Sequence, residues 1–502
     1  MTTQTEIERK YDVDEKATLP DLSGIARVEQ QGEARLEAEY FDTERGDLAA
    51  RRIVLRRRRG GSDEGWHIKL PAAEGRTELH WPLTDDDRPP RRVVDPVLSR
   101  VRGRELGTIA VLRTHRRIVH LVGDDGARLA EIADDTVSAT DTATGILRLW
   151  REWEVELLDG APGSEKERTA LLDTIGAALV EAGAVPSASR SKLAAALGRT
   201  DLAEAEPPAP SLSLDRASAA SAVLLAAVAA LVDDLARIDP LVRANRPDAV
   251  HQLRTRIRRL RSLFASFRTV FDRSATDPLR ARLGEIGAAL GDARDAEVML
   301  ERAETLLDDH EPLAPDAGDR LAGHWAARYT AAHAQAVAAL SGEGWLSLLD
   351  DLDDFVRRPA LGSEAMAPAS AVVPPALEAD LKRVLKRAKA ARRADPADDE
   401  LPLLHEVRKA AKRLRYAAEA VSQGDTAVFG KRTRTLAAAA EAVHDLLGEH
   451  RDSVLMQRHL RAEAGVGAAG FDYGVLHEVE RHGAALCLAD YPAAVRALKS
   501  LR

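Results

Sequence analysis

Charged side chains recur at every second position along several short stretches of the first 200 residues, and the composition of these stretches is typical of β-strands. Because successive side chains of a strand point to opposite faces, each set of charges shares one face. Lysine and arginine neutralise phosphate oxygens, while clustered carboxylates hold hard divalent cations such as Mg²⁺ or Mn²⁺. The mixture predicts a site for a compound with several phosphates, where a metal polarises a phosphoryl oxygen. The acidic members are Glu6, Glu8, Glu78, Glu152, Glu154 and Glu156, and the basic members are Lys10, Arg56, Arg58, Lys69, Arg76, Arg113 and Arg117.

Two arrangements would explain these charged faces. In the simpler one they are solvent-exposed faces of an ordinary sheet, which is the usual explanation for a single strand. The opposite faces are not consistently apolar, however, since Arg9 and Arg57 interrupt them. A closed antiparallel barrel with a charged, hydrated lumen explains the whole series better, because the lumen can hold a polyanion together with its metal. In the stretch RTHRRIV, strand parity selects Arg113 and Arg117 as the inward-facing bases.

A second pattern, helical and duplicated, occupies the C-terminal half. Residues 251–261 read HQLRTRIRRLR, and residues 405–415 read HEVRKAAKRLR. In both copies the bases follow the histidine by 3, 7 and 10 residues, which places them within an arc of about 80° on one helix face. The two basic rows are Arg254, Arg258 and Arg261 after His251, and Arg408, Lys412 and Arg415 after His405.

Another motif is duplicated in the same order, as LGDARD at 290–295 and LGEHRD at 447–452. The two repeats together indicate a duplicated helical unit whose basic rows attract a polyanion. The alternative is structural. A single histidine on a helix is more often part of the packing, and the arginines could pair with some of the 81 acidic residues. The repeated spacing favours anion binding, although a shared core contact would also preserve it.

The organisation of the chain follows from these patterns. Strand-like stretches end near residue 200, the Pro-containing segment AEAEPPAPSLSL follows, and the rest is helical in character. We expect an α+β protein of two domains. An antiparallel β domain would span 1–200, a linker 201–215 and an all-α domain 216–502.

Bulk composition excludes several classes of protein. The chain has 502 residues and a net charge of -9, so it is not a generic nucleic-acid binder, and it lacks the aromatic residues that stack on single-stranded bases. A single cysteine excludes an intrachain disulfide framework and fits a reducing compartment. The first residues contain no apolar signal segment, and no run is apolar enough to cross a bilayer. The sequence therefore predicts a cytoplasmic protein without membrane contact and without sequence-specific nucleic-acid binding.

The N-terminal motifs resemble those of the CYTH domain of triphosphate tunnel metalloenzymes over about residues 4–198. In order along the chain they are EIERK, YFDT, LRRR, IKLP, RTE, AEIADD, EVEL and RSKL. The resemblance implies an eight-stranded antiparallel tunnel barrel that binds triphosphate compounds and hydrolyses them with Mg²⁺ or Mn²⁺. We expect metal ligands at Glu6, Glu8, Glu154 and Glu156, and catalytic roles for Glu8, Lys10, Lys69 and Glu78. The expected phosphate contacts are Lys10, Arg56, Arg58, Lys69, Arg76, Arg113, Arg117 and Lys192.

The paired histidine and arginine helices resemble the CHAD domain over about residues 216–500. That family implies two pseudosymmetric helical bundles whose basic residues line a polyphosphate-binding surface. The order of a CYTH domain followed by a CHAD domain is itself a known arrangement. The expected polyphosphate-binding residues are His251, Arg254, Arg258, Arg261, His405, Arg408, Lys412 and Arg415.

These resemblances favour a metal-dependent inorganic triphosphatase whose helical domain binds polyphosphate and associates with polyphosphate granules. Thiamine triphosphatase and adenylate cyclase activities are alternatives within the same barrel family, because the tunnel residues recognise the triphosphate and not what is attached to it. A non-enzymatic alternative is a polyphosphate-binding adaptor on granules. The carboxylates of the charged strands argue against the adaptor, since a pure anion receptor would gain nothing from Glu6, Glu8, Glu154 and Glu156.

Overall fold

The computed structural model describes residues 2–71, 75–189, 191–199, 213–310, 316–393, 400–424, 427–464 and 470–502. The chain divides into two compact units, Met1–Pro210 and Ser211–Arg502. Most of the linker predicted at 201–215 lies outside the described residues.

The N-terminal unit is built around one antiparallel sheet. Its strands are β1 (Thr2–Glu6), β2 (Glu8–Asp12), β3 (Arg27–Asp42), β4 (Val54–Arg59), β5 (Gly65–Pro71), β6 (Arg76–Trp81), β7 (Gly107–Val122), β8 (Arg128–Asp141), β9 (Leu147–Leu157) and β10 (Val185–Pro186). Hydrogen-bonded neighbours follow the order β1-β6-β5-β4-β3-β7-β8-β9-β2-β10.

Strands β1 and β2 follow each other along the chain on either side of Ile7, and they pair with different neighbours. β1 pairs with β6 through residues 2–6, and β2 pairs with β9 through residues 8–12. The prediction of an antiparallel sheet followed by a helical domain is confirmed, but the eight-stranded closed barrel needs a correction. The described residues form ten strands in an open order, because the N-terminal stretch changes partner at Ile7 and the short β10 extends the sheet beyond β2. No ladder joins β6 directly to β9 within the described ranges, so residues 2–12 complete the wall between them.

Apolar side chains on the outer face of the sheet are covered by helices. Helix α3 (Glu165–Glu181) packs against β2 and β9. The core between them contains Trp153, Ile175 and Leu179, all fully buried. Arg9, which interrupts the apolar pattern of β2, forms an ion pair with Asp173 of α3 at 2.6 Å.

A second apolar core lies on the outer face of the sheet, over strands β4, β5 and β6. Short helices α1 (Arg91–Val94) and α2 (Leu98–Val101) cover β4, β5 and β6 there. Arg57, the other residue that breaks the apolar pattern, is buried in this layer. Its guanidinium lies 5.6 Å from the centre of the Trp66 ring and 2.8 Å from the Glu39 carboxylate. With both apolar layers outside, the remaining faces of the strands enclose the charges.

Helix α4 (Lys192–Leu197) approaches the sheet from its inner side. The Ser191 hydroxyl caps it by accepting a hydrogen bond from the backbone N–H of Ala194. Leu193 and Ala196 pack among Leu112 and Val137 of β7 and β8. The cap and this apolar contact together orient the first residue of the helix, Lys192, toward the charged interior.

The C-terminal unit is built from helices, which short loops connect in its described ranges. Its helices are α5 (Ala220–Arg243), α6 (Ala249–Ser266), α7 (Arg273–Asp309), α8 (Ala317–Ser341), α9 (Glu343–Arg357), α10 (Ala369–Ala391), α11 (Glu400–Ser422), α12 (Lys431–Ala464) and α13 (Gly470–Lys499). None of the described helices combines the length and the apolar character that a bilayer crossing requires.

The two sequence repeats are neighbours in this unit. Helices α6 and α11, which carry the two histidine motifs, pack directly on each other. The residues just before α5 and α10 also pair, through an antiparallel bridge between Ala219 and Pro368. Leu253 and Ile257 are fully buried, as expected for the apolar stripe beside the first basic row. The duplication therefore builds two similar halves that meet at the helices carrying the bases.

Candidate functional site

The inner face of the sheet carries the charges singled out in the sequence. Two connected cavities of about 370 and 320 Å³ lie there, and Glu6, Glu8, Lys10 and Arg76 line both. The larger set around the second cavity also includes Arg56, Arg58, Lys69, Glu78, Arg116, Glu131, Glu154, Glu156 and Lys192. Cations and carboxylates are therefore interleaved on all sides of one lumen.

Two of the predicted phosphate contacts do not reach this lumen. The Arg113 side chain is 76% exposed and pairs with Glu37, and the Arg117 side chain is 58% exposed and pairs with Glu33. The prediction that these two residues line the tunnel is wrong. Alternation correctly put them on a common face, but that face of β7 is the outer one, and Arg116 on the opposite face points inward.

Lys192 lies at the centre of an inner ion-pair network. Its ammonium is 2.9 Å from Asp135, 2.6 Å from Glu152 and 2.6 Å from Glu154, and Asp135 is completely buried. Burial by itself raises the pKa of Asp135, but Lys192 and Arg116 outweigh it and hold that pKa well below its usual value. These three carboxylates lie close enough together to bind a metal ion, but the lysine ammonium already occupies the position a cation would take.

Glu154 is held by three cations. Besides Lys192, Arg116 contacts it at 2.7 Å and Lys10 pairs with it. A carboxylate with this many cationic partners is less available as a metal ligand than the sequence suggested. Arg116 in turn bridges to Asp135 at 2.6 Å, so β7, β8, β9 and α4 are joined by one network.

A second cluster lies on the facing strands. Lys69 contacts Glu6 at 2.6 Å, and Arg56 lies 3.4 Å from Glu78. The ring of His67 lies between two oxygen atoms, with the Glu78 carboxylate 2.9 Å from Nδ1 and the Asp63 backbone carbonyl 2.9 Å from Nε2. Burial raises the pKa of Glu78, yet the contacts with His67, Lys69 and Arg56 lower it strongly. Glu78 is therefore an ionised carboxylate fixed by three neighbours.

A third group consists of carboxylates that crowd one another. Glu156 lies directly opposite Glu8 on one side and opposite Glu131 on the other. Burial, followed by the negative charges of Glu6 and Glu8, raises the pKa of Glu156 to about 7. Carboxylate oxygens are the ligands that Mg²⁺ and Mn²⁺ prefer, and a cation held by Glu6, Glu8, Glu131 and Glu156 would relieve the repulsion on Glu156. Such a cation would compete with Lys69, at 2.6 Å from Glu6, and with Lys10, at 3.2 Å from Glu8.

The bases of the lumen crowd one another as well. Burial, followed by the neighbouring charges of Arg56 and Arg116, lowers the pKa of Arg58 to about 9, although Asp63 pairs with it. Burial is also the main reason that the pKa of Lys10 falls to about 8. Cations that repel one another in a partly dry space are stabilised by an anion, which is what a phosphate group supplies.

Sequence reasoning missed Arg116 and His67 as site residues and left Glu131, Asp135 and Glu152 out of the assigned roles. For His67 a signal existed, since it alternates with Lys69 along GWHIKLP. Arg116 was missed because strand parity in RTHRRIV selected Arg113 and Arg117, which lie on the opposite face of β7. Nothing in the sequence distinguishes a carboxylate that faces a lysine from one that faces other carboxylates.

The helical unit explains why its two motifs are duplicated together. Gly291 of LGDARD leaves room for the guanidinium of Arg254, and Gly448 of LGEHRD leaves room for that of Arg408. A Cβ at either glycine would stand 3.3 Å from the arginine side chain. Each glycine therefore lets an arginine of the basic row lie flat on the next helix.

Four arginines surround these glycines: Arg254 and Arg258 belong to the first copy, and Arg408 and Arg451 belong to the second. Burial lowers the pKa of Arg254 and of Arg408, and Arg451 adds to the shift in both cases. Burial and Arg254 lower the pKa of Arg258 to about 9. Neither Arg258 nor Arg408 has a carboxylate at ion-pair distance in the described part of the chain, so positive charge is in excess here.

The remaining predicted members of the rows differ in their surroundings. Arg415 is neutralised by Glu419 at 2.8 Å, Glu441 at 2.5 Å and Asp445 at 3.5 Å. Arg261, its counterpart, is exposed and lies over Gly284. His251 and His405 are also exposed, while Lys412 is half-buried.

Comparison with known families gives two matches on this chain. A CYTH domain is matched over residues 4–170 and a CHAD domain over residues 226–461. Among solved structures, PptA from Streptomyces chartreusis is 21% identical, covers 56% of this chain and 99% of its own, and has a TM-score of 0.45. The CHAD domain from the plant Ricinus communis is 24% identical, with coverage of 60% and 98% and a TM-score of 0.45. The PH1819 protein from Pyrococcus horikoshii is 17% identical, with coverage of 38% and 98% and a TM-score of 0.25.

One relative aligns with this chain over nearly the whole length of both proteins. An uncharacterized protein of Mycobacterium tuberculosis, with the same figures in strains CDC 1551 and H37Rv, is 37% identical over 526 aligned residues. The match covers 98% of this chain and 96% of the relative. The chain therefore belongs to the family of two-domain proteins in which a CYTH domain is followed by a CHAD domain.

Proposed function

We propose that the protein is a metal-dependent phosphohydrolase that cleaves inorganic triphosphate in the β tunnel and binds polyphosphate through its helical unit. The observation that supports this proposal is the lumen, in which lysines and arginines are interleaved with carboxylates around one cavity. A triphosphate with a bound divalent cation compensates both sets at once. The CYTH family, which includes triphosphatases and adenylate cyclases, supports an enzymatic role.

The residues divide into three roles. Lys10, Arg56, Arg58, Lys69, Arg76 and Arg116 would bind the phosphate oxygens, since all line the lumen. Glu6, Glu8, Glu131 and Glu156 would hold Mg²⁺ or Mn²⁺, which when bound polarises a phosphoryl oxygen and lowers the pKa of water. Lys192, predicted as a phosphate contact, would act mainly as a positioning residue, because three carboxylates already surround its ammonium.

The lining favours an inorganic substrate over a nucleotide. Around the larger cavity no aromatic side chain occurs among the described lining residues. Around the smaller one the rings are Tyr40, His67 and His80, and His67 is engaged by Glu78 and Asp63. Stacking of a nucleobase needs an accessible aromatic face, and these walls offer mainly charges.

One assay tests the substrate directly. Phosphate release is measured from inorganic triphosphate, thiamine triphosphate, ATP and long polyphosphate, with Mg²⁺ and Mn²⁺ compared. We expect the highest kcat/KM with inorganic triphosphate. Preferential turnover of thiamine triphosphate would show that the protein is a thiamine triphosphatase, and cyclic AMP formation from ATP would show that it is an adenylate cyclase. Either result would contradict the proposed substrate. The absence of any metal-dependent turnover would favour a binding protein.

Arg58→Ala should raise KM for inorganic triphosphate by about tenfold or more, since a charge-assisted contact to phosphate is lost. Added salt should weaken binding further. Arg113→Ala is the matched control, because this arginine lies on the outer face of β7. Steady-state kinetics at two ionic strengths measure both effects. Equal KM values for the two variants would show that the tunnel charges do not bind substrate.

Polyphosphate binding by the helical unit rests on Arg258 and Arg408, which lie on the packed helices α6 and α11 and have no carboxylate at ion-pair distance among the described residues. Replacing Arg254, Arg258, Arg408 and Lys412 together by alanine should abolish binding of long polyphosphate in a pull-down at moderate salt. The control replaces four exposed bases elsewhere in the unit, Arg432, Arg434, Arg496 and Lys499, which removes the same charge. Circular dichroism verifies that helix content is unchanged. Retention of polyphosphate by the first variant would place the binding site elsewhere, for example along residues 382–393.

A further inference from the structure

The two copies of the helical repeat differ at the pocket beside the histidine motif. In the second copy a cavity of about 310 Å³ is lined by His405, Arg408, Arg451 and Arg458, and it is called here the second-copy pocket. Arg408 and Arg458 have no carboxylate at ion-pair distance within the described ranges. Arg451 has two, Asp295 at 3.0 Å and Asp452 at 3.2 Å.

The same positions in the first copy are filled differently. The LG motifs are offset by 157 residues (447 − 290), so Arg451, Val454 and Arg458 correspond to Arg294, Glu297 and Glu301. There Arg294 is neutralised by Glu297 at 2.7 Å and by Glu301 at 3.3 Å.

The first basic residue of each row shows the same difference. Arg254 pairs with Asp295 at 3.4 Å, whereas its counterpart Arg408 forms no such pair among the described residues. Over these equivalent positions the first copy carries two guanidiniums against three carboxylates, and the second carries three against one. One of the three carboxylates, Asp295, contacts Arg254 of the first copy and Arg451 of the second. The second-copy pocket therefore attracts an anion more strongly than the first-copy position does.

At the far end of the rows the asymmetry is reversed. Glu441, which neutralises Arg415 in the second copy, corresponds to Gly284 in the first. Arg261 lies over that glycine, and burial together with the charge of Arg280 lowers its pKa. Among the described residues, the unpaired bases therefore belong to the second copy at one end of the rows and to the first copy at the other end. Between these ends, burial and the charge of Arg408 lower the pKa of both Arg254 and Arg258.

We propose that a phosphate chain binds the helical unit along one asymmetric track, which begins in the second-copy pocket and continues to Arg258 and Arg261 of the first copy. The inference rests on the polyphosphate binding proposed above, and it adds a direction and a single entry site to it. The duplicated fold would then provide one binding site per chain. At each end of the basic rows, carboxylates neutralise the bases of one copy and leave those of the other copy to bind phosphate.

The experiment compares single substitutions in the full-length protein, with inorganic polyphosphate of defined length as the probe and EDTA present to prevent turnover. The N-terminal unit is unaltered in every variant, so any binding there contributes equally. Arg458→Ala should weaken binding about tenfold and reduce the slope of log K against log salt by about one. Arg294→Ala, at the position equivalent to Arg451, should change affinity less than twofold.

A graft tests the same idea in the opposite direction. The double variant Glu297→Val and Glu301→Arg gives the first copy the residues of the second, and both positions are at least partly exposed, so the fold should tolerate it. It should raise the affinity for polyphosphate at least tenfold and steepen the salt dependence.

The outcomes separate this inference from the proposed function. Wild-type protein that fails to bind polyphosphate at low salt would overturn polyphosphate binding as a whole. Wild-type binding that is unaffected by Arg458→Ala and by the graft, or weakened equally by Arg294→Ala, would overturn the asymmetric track alone.

Discussion

Replacing Glu156 by glutamine should lower kcat/KM for inorganic triphosphate at least about 100-fold, equivalent to about 2.7 kcal/mol of transition-state stabilisation. Glu156 lies opposite both Glu8 and Glu131 in the sheet, and glutamine keeps its size while removing the negative charge. Glu6→Gln should have an effect of the same order. Wild-type activity should also disappear in excess EDTA.

Two measurements distinguish loss of metal binding from loss of the fold. Calorimetric titration with Mn²⁺ should show weaker binding to the Glu156→Gln variant, while its thermal unfolding remains cooperative. Glu37→Gln is the matched control, since Glu37 pairs with Arg113 on the outer face, and it should retain full activity. Full wild-type turnover in EDTA would contradict the metal-dependent mechanism.

Lys192→Met should reduce the free energy of unfolding by about 3–5 kcal/mol, because it leaves buried carboxylates without their central cation. Lys192 contacts Asp135, Glu152 and Glu154, each with a side chain no more than 10% exposed. Urea denaturation in the absence of divalent metal measures the change. Lys166→Met is the control, since Lys166 is exposed on α3, and it should shift the midpoint only slightly. A loss below about 1 kcal/mol for Lys192→Met would mean that water or relaxation replaces the ammonium.

The effect of Lys192→Met should depend on pH with a definite sign. In the wild-type fold the pKa of Asp135 and that of Glu152 lie below the usual values of these carboxyl groups, because Lys192 outweighs the effect of burial and stabilises their charged forms. Their contribution to stability is therefore present above about pH 4 and is lost as the pH falls through the lowered pKa values. The difference between wild type and variant should be largest near neutral pH and should shrink below about pH 4. A difference that grew on acidification would contradict the assigned ion pairs.

Much of the site was predictable because it depends on local periodicity. Alternation along a strand places Glu6, Glu8 and Lys10, or Arg56 and Arg58, on one face whatever the rest of the chain does. The helical spacing of bases after His251 and His405 is equally local. The order of the motifs was enough to identify an antiparallel β domain followed by a duplicated helical domain, and the family matches confirm both.

Periodicity does not show which face points inward. Arg113 and Arg117 share a face of β7 as expected, but the way the sheet folds around its lumen turned that face outward and brought Arg116 in. The change of partner at Ile7 likewise follows from how β6 and β9 approach the N-terminal residues. Such choices depend on the outer apolar layers and on long-range pairing, which no short stretch of sequence contains.

By itself the sequence determined the two-domain organisation and a large part of the set of charges that line the lumen and the helical surface. Only the tertiary structure decided how these charges compensate one another, because an ion pair depends on distances between residues far apart in the chain. It placed Lys192 among three carboxylates and left Glu156 among others. It also paired Arg415 with acids while leaving Arg408 without them in the described ranges, so equivalent positions in a repeated motif acquired different electrostatic surroundings.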